Sequence, residues 1–385
     1  MPEQKPNPRL IAEGWRFVPH SFAIVHQWQC LALHRRTDVD LRVRDVPYFD
    51  PRWTRTNGLF DTAAEDTLKA IPTASSTDEA NATLRIAFPY DFSPSRSART
   101  WVFGTAEYGS VSSRHVKGVR GLADLKQNLC GIITPSRWSA AGFLNAGVDE
   151  TRLAVVPHGV EPTVFRPRPD LREVFRNRLN LSGFTFLNIG AMAQNKGIDL
   201  LLQAFAEIVD RNPRVHLILK GNDTLYSSIN LINSYLSHLP SEVQQRIVPR
   251  LTYLGASMSM DQMSALYQCA DAYVSPYRAE GFNMPVLEAA GCGIPVLCTA
   301  GGPTDEFTNT DFALRIASSP RQMIQQGVEG KYLEPSLDHL IELMLQVIED
   351  ESWRTKAQKA GPAFVTTAFT WDHVVDRLIK IMLCD

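Results

Sequence analysis

Short apolar runs alternate with amphipathic stretches through the second half of this 385-residue chain, and that alternation restricts the fold more than any other feature. Phe184–Gly190 (FTFLNIG), Val215–Lys220 (VHLILK), Leu251–Leu254 (LTYL), Ala272–Ser275 (AYVS) and Ile294–Thr299 (IPVLCT) are short and rich in β-branched and aromatic residues, as strands are. Between them lie segments with a three-to-four rhythm. Ile198–Arg211 places Leu201, Leu202, Phe205, Ile208 and Val209 on one side of a helix. Helical segments are expected over roughly 224–249. Ser259 opens another helix through Cys269, with Gln262 completing a capping box. Pro285–Gly291, Leu337–Glu349 (capped by Ser336) and Trp371–Leu383 complete the set. Strands that alternate with helices must pair in parallel, so the class is α/β with a doubly wound parallel sheet.

The first half repeats the theme less cleanly. Strands are expected over 9–18, Leu41–Val46, Leu84–Pro89, Thr100–Gly104, Gly131–Pro135 and a short buried Leu153–Val156. Helices are expected over 22–35, capped by Ser21, and over 136–147, capped by Ser136 and ended at Gly147. Residues 47–82 contain Pro47, Pro51, Pro72 and a Thr/Ser/Asp-rich tract, and read as a long, partly mobile surface excursion. Pro- and Arg-rich 161–178 marks a boundary between two such blocks. In open sheets of this kind ligands bind beyond the carboxyl ends of the strands, and the cleft between two domains is the default site.

Composition narrows the function. Charged residues are 21% and the formal net charge is −2, so a nucleic-acid partner is not expected. The six cysteines form no C-x-x-C pair and no zinc-site spacing; they read as small buried groups in a reducing compartment. The polar, Pro-rich start lacks the apolar core of a signal peptide, and no run has the length of a membrane span. A cytoplasmic location is expected, with peripheral membrane contact left open. So is the oligomeric state.

The stretch Ser275–Glu306, SPYRAEGFNMPVLEAAGCGIPVLCTAGGPTDE, carries the most chemistry. A strand ends at Ser275-Pro276, and Pro285 suits the first helical position. The backbone N–H groups of Gly281, Phe282, Asn283 and Met284 would then lie at a helix N-terminus on the carboxyl edge of the sheet, which is an anion site. Glu280 precedes that turn and Glu288 follows it. Two carboxylates flanking a phosphate-accepting turn suit the hydroxyls on either side of a diphosphate, the layout of a nucleotide sugar. The alternative is a surface loop with solvated glutamates.

Glu280 and Glu288, with seven residues between them, together with EGFNMPVLEAAGCGIPV and GGPTDE, resemble the retaining GT-B glycosyltransferases of group 1. TPSRWSAAGFLNAGVDETRLAVVPHGVEPTVFRP (134–167) and Phe369-Thr370-Trp371-Asp372 match as well, whereas 1–125 diverges. The resemblance implies two Rossmann-like domains facing across a cleft, and a last helix that returns to the first. That gives an acceptor domain over 1–165 with 369–385, and a nucleotide-sugar domain over 166–368. It implies that Glu280 binds the donor hexose and Glu288 the ribose. It also implies retention through same-face attack, with no metal or other cofactor.

Further candidates follow from position. Lys196, in the loop Gly190–Gly197 (GAMAQNKG), reaches the diphosphate or is a solvated loop lysine. The family carries an arginine where this chain has Ala191, and Arg278 is a candidate replacement. Gly221 and Gly255 follow strands and are placed beside the nucleotide base. Gly301-Gly302-Pro303 with Asp305 is either a donor-side loop or a capped glycine turn. Glu107, beyond the Thr100–Gly104 strand, is placed near the transferring sugar. On the acceptor side stand Pro19-His20-Ser21, where the family has a glycine-rich loop, and His115 in a basic stretch with Arg114, Lys117 and Arg120. The alternative for His20 is a capping or packing residue, and for the basic stretch a solvated face. Asp38-Val39-Asp40 mimics a metal-binding D-x-D but has no matching fold around it.

The expected reaction moves a hexose from a nucleotide-diphosphate sugar to an acceptor hydroxyl, with a UDP-sugar first and GDP-mannose second. The acceptor is a sugar, a lipid-linked glycan or a small molecule. The competing readings are a non-catalytic nucleotide-sugar-binding protein, motivated by Ala191, and a GT-B epimerase of the nucleotide sugar.

Overall fold

The computed structural model describes residues 6–127, 130–325 and 328–384. The chain divides into two compact units. One runs to Gly159 and takes up the chain again from Thr370; the other comprises Val160–Gln325 and Glu329–Phe369.

The first unit opens with β1 (Arg9–Gly14), α1 (Ser21–His34), β2 (Asp40–Asp45), α2 (Thr62–Ala70) and β3 (Ala82–Ile86). β4 (Tyr90–Asp91), β5 (Arg99–Phe103), β6 (Val116–Lys117), β7 (Cys130–Thr134), α3 (Arg137–Asn145) and β8 (Leu153–Val155) follow. Six strands form one sheet in the order β2-β1-β3-β5-β7-β8, with every pairing parallel. β4 and β6 pair separately. α1 is buried along most of its length, from Ala23 to Leu33.

Several local expectations need correction here. The cap of α1 is His20, whose Nδ1 accepts from the Phe22 N–H at 3.1 Å, and Ser21 is the exposed first helical residue. The tract over 47–82 is not a bare excursion. It holds α2, capped by Asp61, and buries Leu59, Phe60, Leu68, Ile71 and Ala74. Buried Glu65 fixes the entry to that helix by accepting from Gly58 N at 2.6 Å and Leu59 N at 3.0 Å. A helix this short, anchored by a buried acid, shows little apolar rhythm. β8 is an edge strand with Val155 exposed, not a buried one.

The second unit contains α4 (Pro169–Arg178), β9 (Phe184–Ile189), α5 (Ile198–Arg211), β10 (Val215–Lys220), α6 (Ser228–Ser237) and α7 (Ser241–Ile247). It continues with β11 (Leu251–Leu254), α8 (Met260–Cys269), β12 (Ala272–Ser275), α9 (Met284–Gly291), β13 (Val296–Thr299) and β14 (Ala313–Ile316). β15 (Ser318–Gln325) and β16 (Val328–Pro335) pair with each other, and α10 (Leu337–Glu349) and α11 (Glu351–Ala368) close the unit. Its main sheet has the order β11-β10-β9-β12-β13-β14, again parallel throughout. One face is covered by α5, whose Ile198, Leu201, Phe205 and Ile208 are fully buried. Each such side chain contributes roughly 1.5–3 kcal/mol of burial. The Pro- and Arg-rich tract is thus partly helical: Arg172 and Arg176 of α4 pair with Asp271 at 2.5 and 3.3 Å.

The last element, α12 (Trp371–Leu383), belongs to the first unit and packs on α1. Trp371, Val374, Val375, Leu378 and Met382 are buried, and Arg35 pairs with Asp372 at 2.6 Å.

Candidate functional site

The strand order of the second unit creates a switch point. Successive strands run outward from β9 in one direction and from β12 in the other, so the carboxyl ends of these two neighbours form the switch point, where open sheets of this kind bind ligands. The loop after β9 carries Lys196 on a single turn, Gln194–Lys196. The loop after β12 carries Glu280. Lys196 Nζ and Glu280 Oε1 meet at 2.7 Å, with the glutamate buried.

The two loops are stitched together by backbone and side chain. Asn195 O accepts from Arg278 N at 2.7 Å and Ala279 N at 3.2 Å. Asn195 Nδ2 returns a bond to Ala279 O at 3.2 Å. Gly197 has φ +69, and a Cβ there would collide with the Pro276 carbonyl, so only glycine fits this crossing. Arg278 locks the assembly. Its guanidinium grips Asp199 at 2.7 and 2.8 Å, Glu334 at 3.0 Å and Gln194 O at 3.1 Å. Burial works against its charge, but the bonds to Asp199 and Glu334 outweigh that and hold its pKa above the ordinary value. Arg278 is therefore committed to carboxylates within the unit, and does not stand in for the charge that Ala191 lacks. The Ala191 carbonyl accepts from Ser228 Oγ at 3.0 Å.

Beyond Glu280 the chain turns into α9. Gly281 and Phe282 are buried, and Phe282 stacks on Phe307 with ring centroids 4.3 Å apart. Asn283 caps the helix with φ 76, a left-handed conformation that asparagine tolerates. Its Nδ2 donates to Ser275 Oγ at 2.9 Å. Met284 is half-buried as the first helical residue, so Pro285 is the second rather than the first. Glu288 lies one turn further in, and its Oε2 accepts from the Tyr267 hydroxyl at 2.7 Å. Burial pushes its pKa up to about 7, against the downward pull of the Tyr267 bond.

The carboxyl ends of β10 and β11 carry Gly221 and Gly255. Lys220, which the sequence reading passed over, joins them. It is buried, and its Nζ donates to Gly221 O and, at 2.9 Å, to Ala256 O. Burial lowers its pKa to about 8, with Asp223 opposing. Asp223 N donates to Gly255 O at 2.9 Å, and Tyr253 Oη to Asp223 Oδ1 at 2.8 Å. The available signal was a lysine closing an otherwise apolar strand. Gly301 and Asp305 follow the blander reading: Asp305 Oδ2 accepts from Gly301 N at 2.8 Å.

In the first unit, His20 is half-buried and burial lowers its pKa to about 4, which makes it a neutral cap near pH 7. Glu107 is half-buried beyond β5, and its carbonyl accepts from Trp138 Nε1 at 2.9 Å. His115 is exposed and sets its ring 5.0 Å from that of Phe88. Asp38 is paired with Arg36 at 2.9 Å and Asp40 with Arg9 at 2.7 Å. Among the described residues, no group of three or more His, Cys, Asp or Glu could hold a metal ion, and no helix is long and apolar enough to cross a membrane. Five cysteines are buried thiols and Cys384 is exposed.

Two doubly wound parallel sheets, with a final helix returned to the first, define the GT-B fold of glycosyltransferases. The Anabaena protein Alr3699/HepE, in a structure in complex with UDP and glucose, matches with a TM-score of 0.68 at 14% identity, covering 97% of this chain and 99% of that one. Residues 183–350 match the family model described as glycosyl transferases group 1. Mannosylfructose-phosphate synthase of Agrobacterium fabrum is 22% identical over 240 residues, 61% of this chain and 48% of that protein. A GDP-mannose-dependent monoacylated alpha-(1-6)-phosphatidylinositol monomannoside mannosyltransferase of Corynebacterium glutamicum is 24% identical over 258 residues, 64% and 60% of the two chains. The chain therefore spans about half to three fifths of the length of these relatives.

Proposed function

We propose that the chain transfers a hexosyl group from a nucleotide-diphosphate sugar to an acceptor hydroxyl, with retained configuration and without a metal. One observation carries the reading: Lys196 and Glu280 meet at 2.7 Å at the switch point of a group 1 glycosyl transferase unit. Lys196 and the amides at the start of α9 hold the diphosphate and stabilise the charge that grows on it as the glycosidic bond breaks. Glu280 orients the hexose, and Glu288 anchors the ribose from the helix behind. The acceptor oxygen attacks the anomeric carbon from the leaving group's face, and its proton passes to the departing phosphate. The remaining work is positioning.

The donor of first choice is a UDP-sugar, supported by the UDP and glucose in the Anabaena structure; GDP-mannose is second, supported by the Corynebacterium relative. Binding raises apparent stability, so melting the protein with UDP-, GDP- and ADP-sugars identifies the base. Transfer is then assayed with that donor and a panel of acceptors. Glu280→Ala should nearly abolish turnover, and Glu288→Ala should chiefly weaken donor binding. Wild-type rates in both would refute the site. Chelator should leave the rate unchanged.

Ala191 and the engaged Arg278 favour a second reading, a protein that binds a nucleotide sugar without turning it over. It predicts a donor-dependent melting shift with neither hydrolysis nor transfer.

A further inference from the structure

The first unit has a switch point of its own. In the order β2-β1-β3-β5, chain connections run from β1 to β2 on one side and onward from β3 on the other, so the carboxyl ends of β1 and β3 form the switch point, where open sheets of this kind bind ligands. The segments leaving these strands are aromatic. Trp15 and His20 follow β1, Phe49 and Trp53 follow β2, and Phe88 follows β3. Their rings form one continuous chain. His20 lies 5.1 Å from Trp53, Trp53 lies 6.3 Å from Phe49, Phe49 lies 5.2 Å from Phe88, and Phe88 lies 5.0 Å from His115. Trp15 is buried beneath Trp53 in an edge contact at 5.6 Å and supports it from below.

The accessible part of this shelf is graded. Phe49 is 53% exposed, Trp53 and Phe88 are half-buried, and His115 is exposed. A membrane-inserting patch presents projecting apolar groups, whereas here most rings are set edge to face with only Phe49 standing out. Half-buried aromatic faces with imidazole edges suit a ligand that is apolar on one side and hydroxylated around its rim, which describes a pyranose ring. The flank is cationic. Residues 112–121 carry Arg114, Lys117 and Arg120 with no acid, and they are tied to the end of the shelf by the β4–β6 pairing, in which Lys117 has Asp91 opposite. Arg114 and Arg120 are exposed.

We propose that this shelf is a saccharide subsite that stacks the pyranose ring of an anionic acceptor, with the acceptor's phosphate or carboxylate meeting the Arg114–Arg120 edge. The assignment rests on the transferase reading above and names the acceptor class for it.

The test separates the two. Binding of glucose 6-phosphate, mannose 6-phosphate, glucuronic acid and uncharged methyl glucoside is followed by titration calorimetry in the absence of donor. Donor binding is read independently from the melting shift with UDP. At least one charged sugar should bind more tightly than methyl glucoside and weaken as salt is raised. Trp53→Ala or Phe49→Ala should weaken it about tenfold while leaving the UDP shift intact. Arg114→Ala with Arg120→Ala should erase the salt dependence but keep residual binding. Circular dichroism of each variant verifies folding, and Phe49→Tyr, which keeps the ring, should restore affinity. The proposal is overturned if no sugar binds the wild type, if the aromatic variants bind as well as wild type, or if the shelf instead takes up vesicles of phosphatidylglycerol. A wild type that binds sugar but shows no melting shift with UDP, GDP or ADP would sink the donor reading and leave the subsite standing.

Discussion

Replacing Glu288 with glutamine should remove a pH dependence from the stability of the second unit. The carboxyl is buried and its pKa is pushed up to about 7, from an ordinary 4.5. Between those values the folded unit keeps a proton that the unfolded chain has lost. Stability from this group is therefore fullest below about pH 4.5, falls as the pH rises toward 7, and levels off above. The gap of about 2.5 pH units corresponds to about 3 kcal/mol at 1.36 kcal/mol each, most of it lost between about pH 5 and about pH 8. Glutamine keeps the shape and an acceptor for the Tyr267 hydroxyl but has nothing to ionise. Urea unfolding of both proteins, read by fluorescence across that range, should show the variant gaining about 2.5 kcal/mol on the wild type from the acid to the alkaline end. Parallel stability curves would refute the reasoning, because they would mean that Glu288 titrates as a solvated carboxylate.

Other consequences are as direct. Arg278→Ala strands Asp199 and Glu334 and should cost about 3–5 kcal/mol, read by denaturant unfolding. Arg278→Lys keeps a charge but loses the fork that also holds Gln194; it should fold and bind donor with lower affinity, measured by titration calorimetry. Gly197→Ala should destabilise by more than the about 1–2 kcal/mol of left-handed strain, since the Pro276 carbonyl must also move. Trp371→Ala should cost about 3–5 kcal/mol in the first unit, seen as a lowered melting transition.

The second unit was legible because its physics is local. Strands such as β12 and β13 are buried along their whole length, so each appears as an unbroken apolar run. α5 announces itself by one apolar stripe, and α8 by Ser259 and Gln262, whose reciprocal capping bonds are present. β15 and β16 gave no such signal, because much of their surface is solvated and polar. In the site, the residue types at 196, 280 and 288 point to chemistry from sequence spacing alone. Their partners do not, because Lys196 reaches Glu280 across 84 positions and Glu288 reaches Tyr267 across 21. The same holds for Arg278. A cation beside the expected diphosphate invited a role on the ligand, but carboxylates at 199 and 334, brought near only by folding, claim it.

The return of α12 to α1 sets the timetable of folding during synthesis. A ribosome delivers every strand of the first unit early, yet the helix that covers α1 emerges only after Val160–Phe369 has been made. Until then α1 waits without the apolar face of Trp371, Val374, Leu378 and Met382. The half translated first is thus completed last.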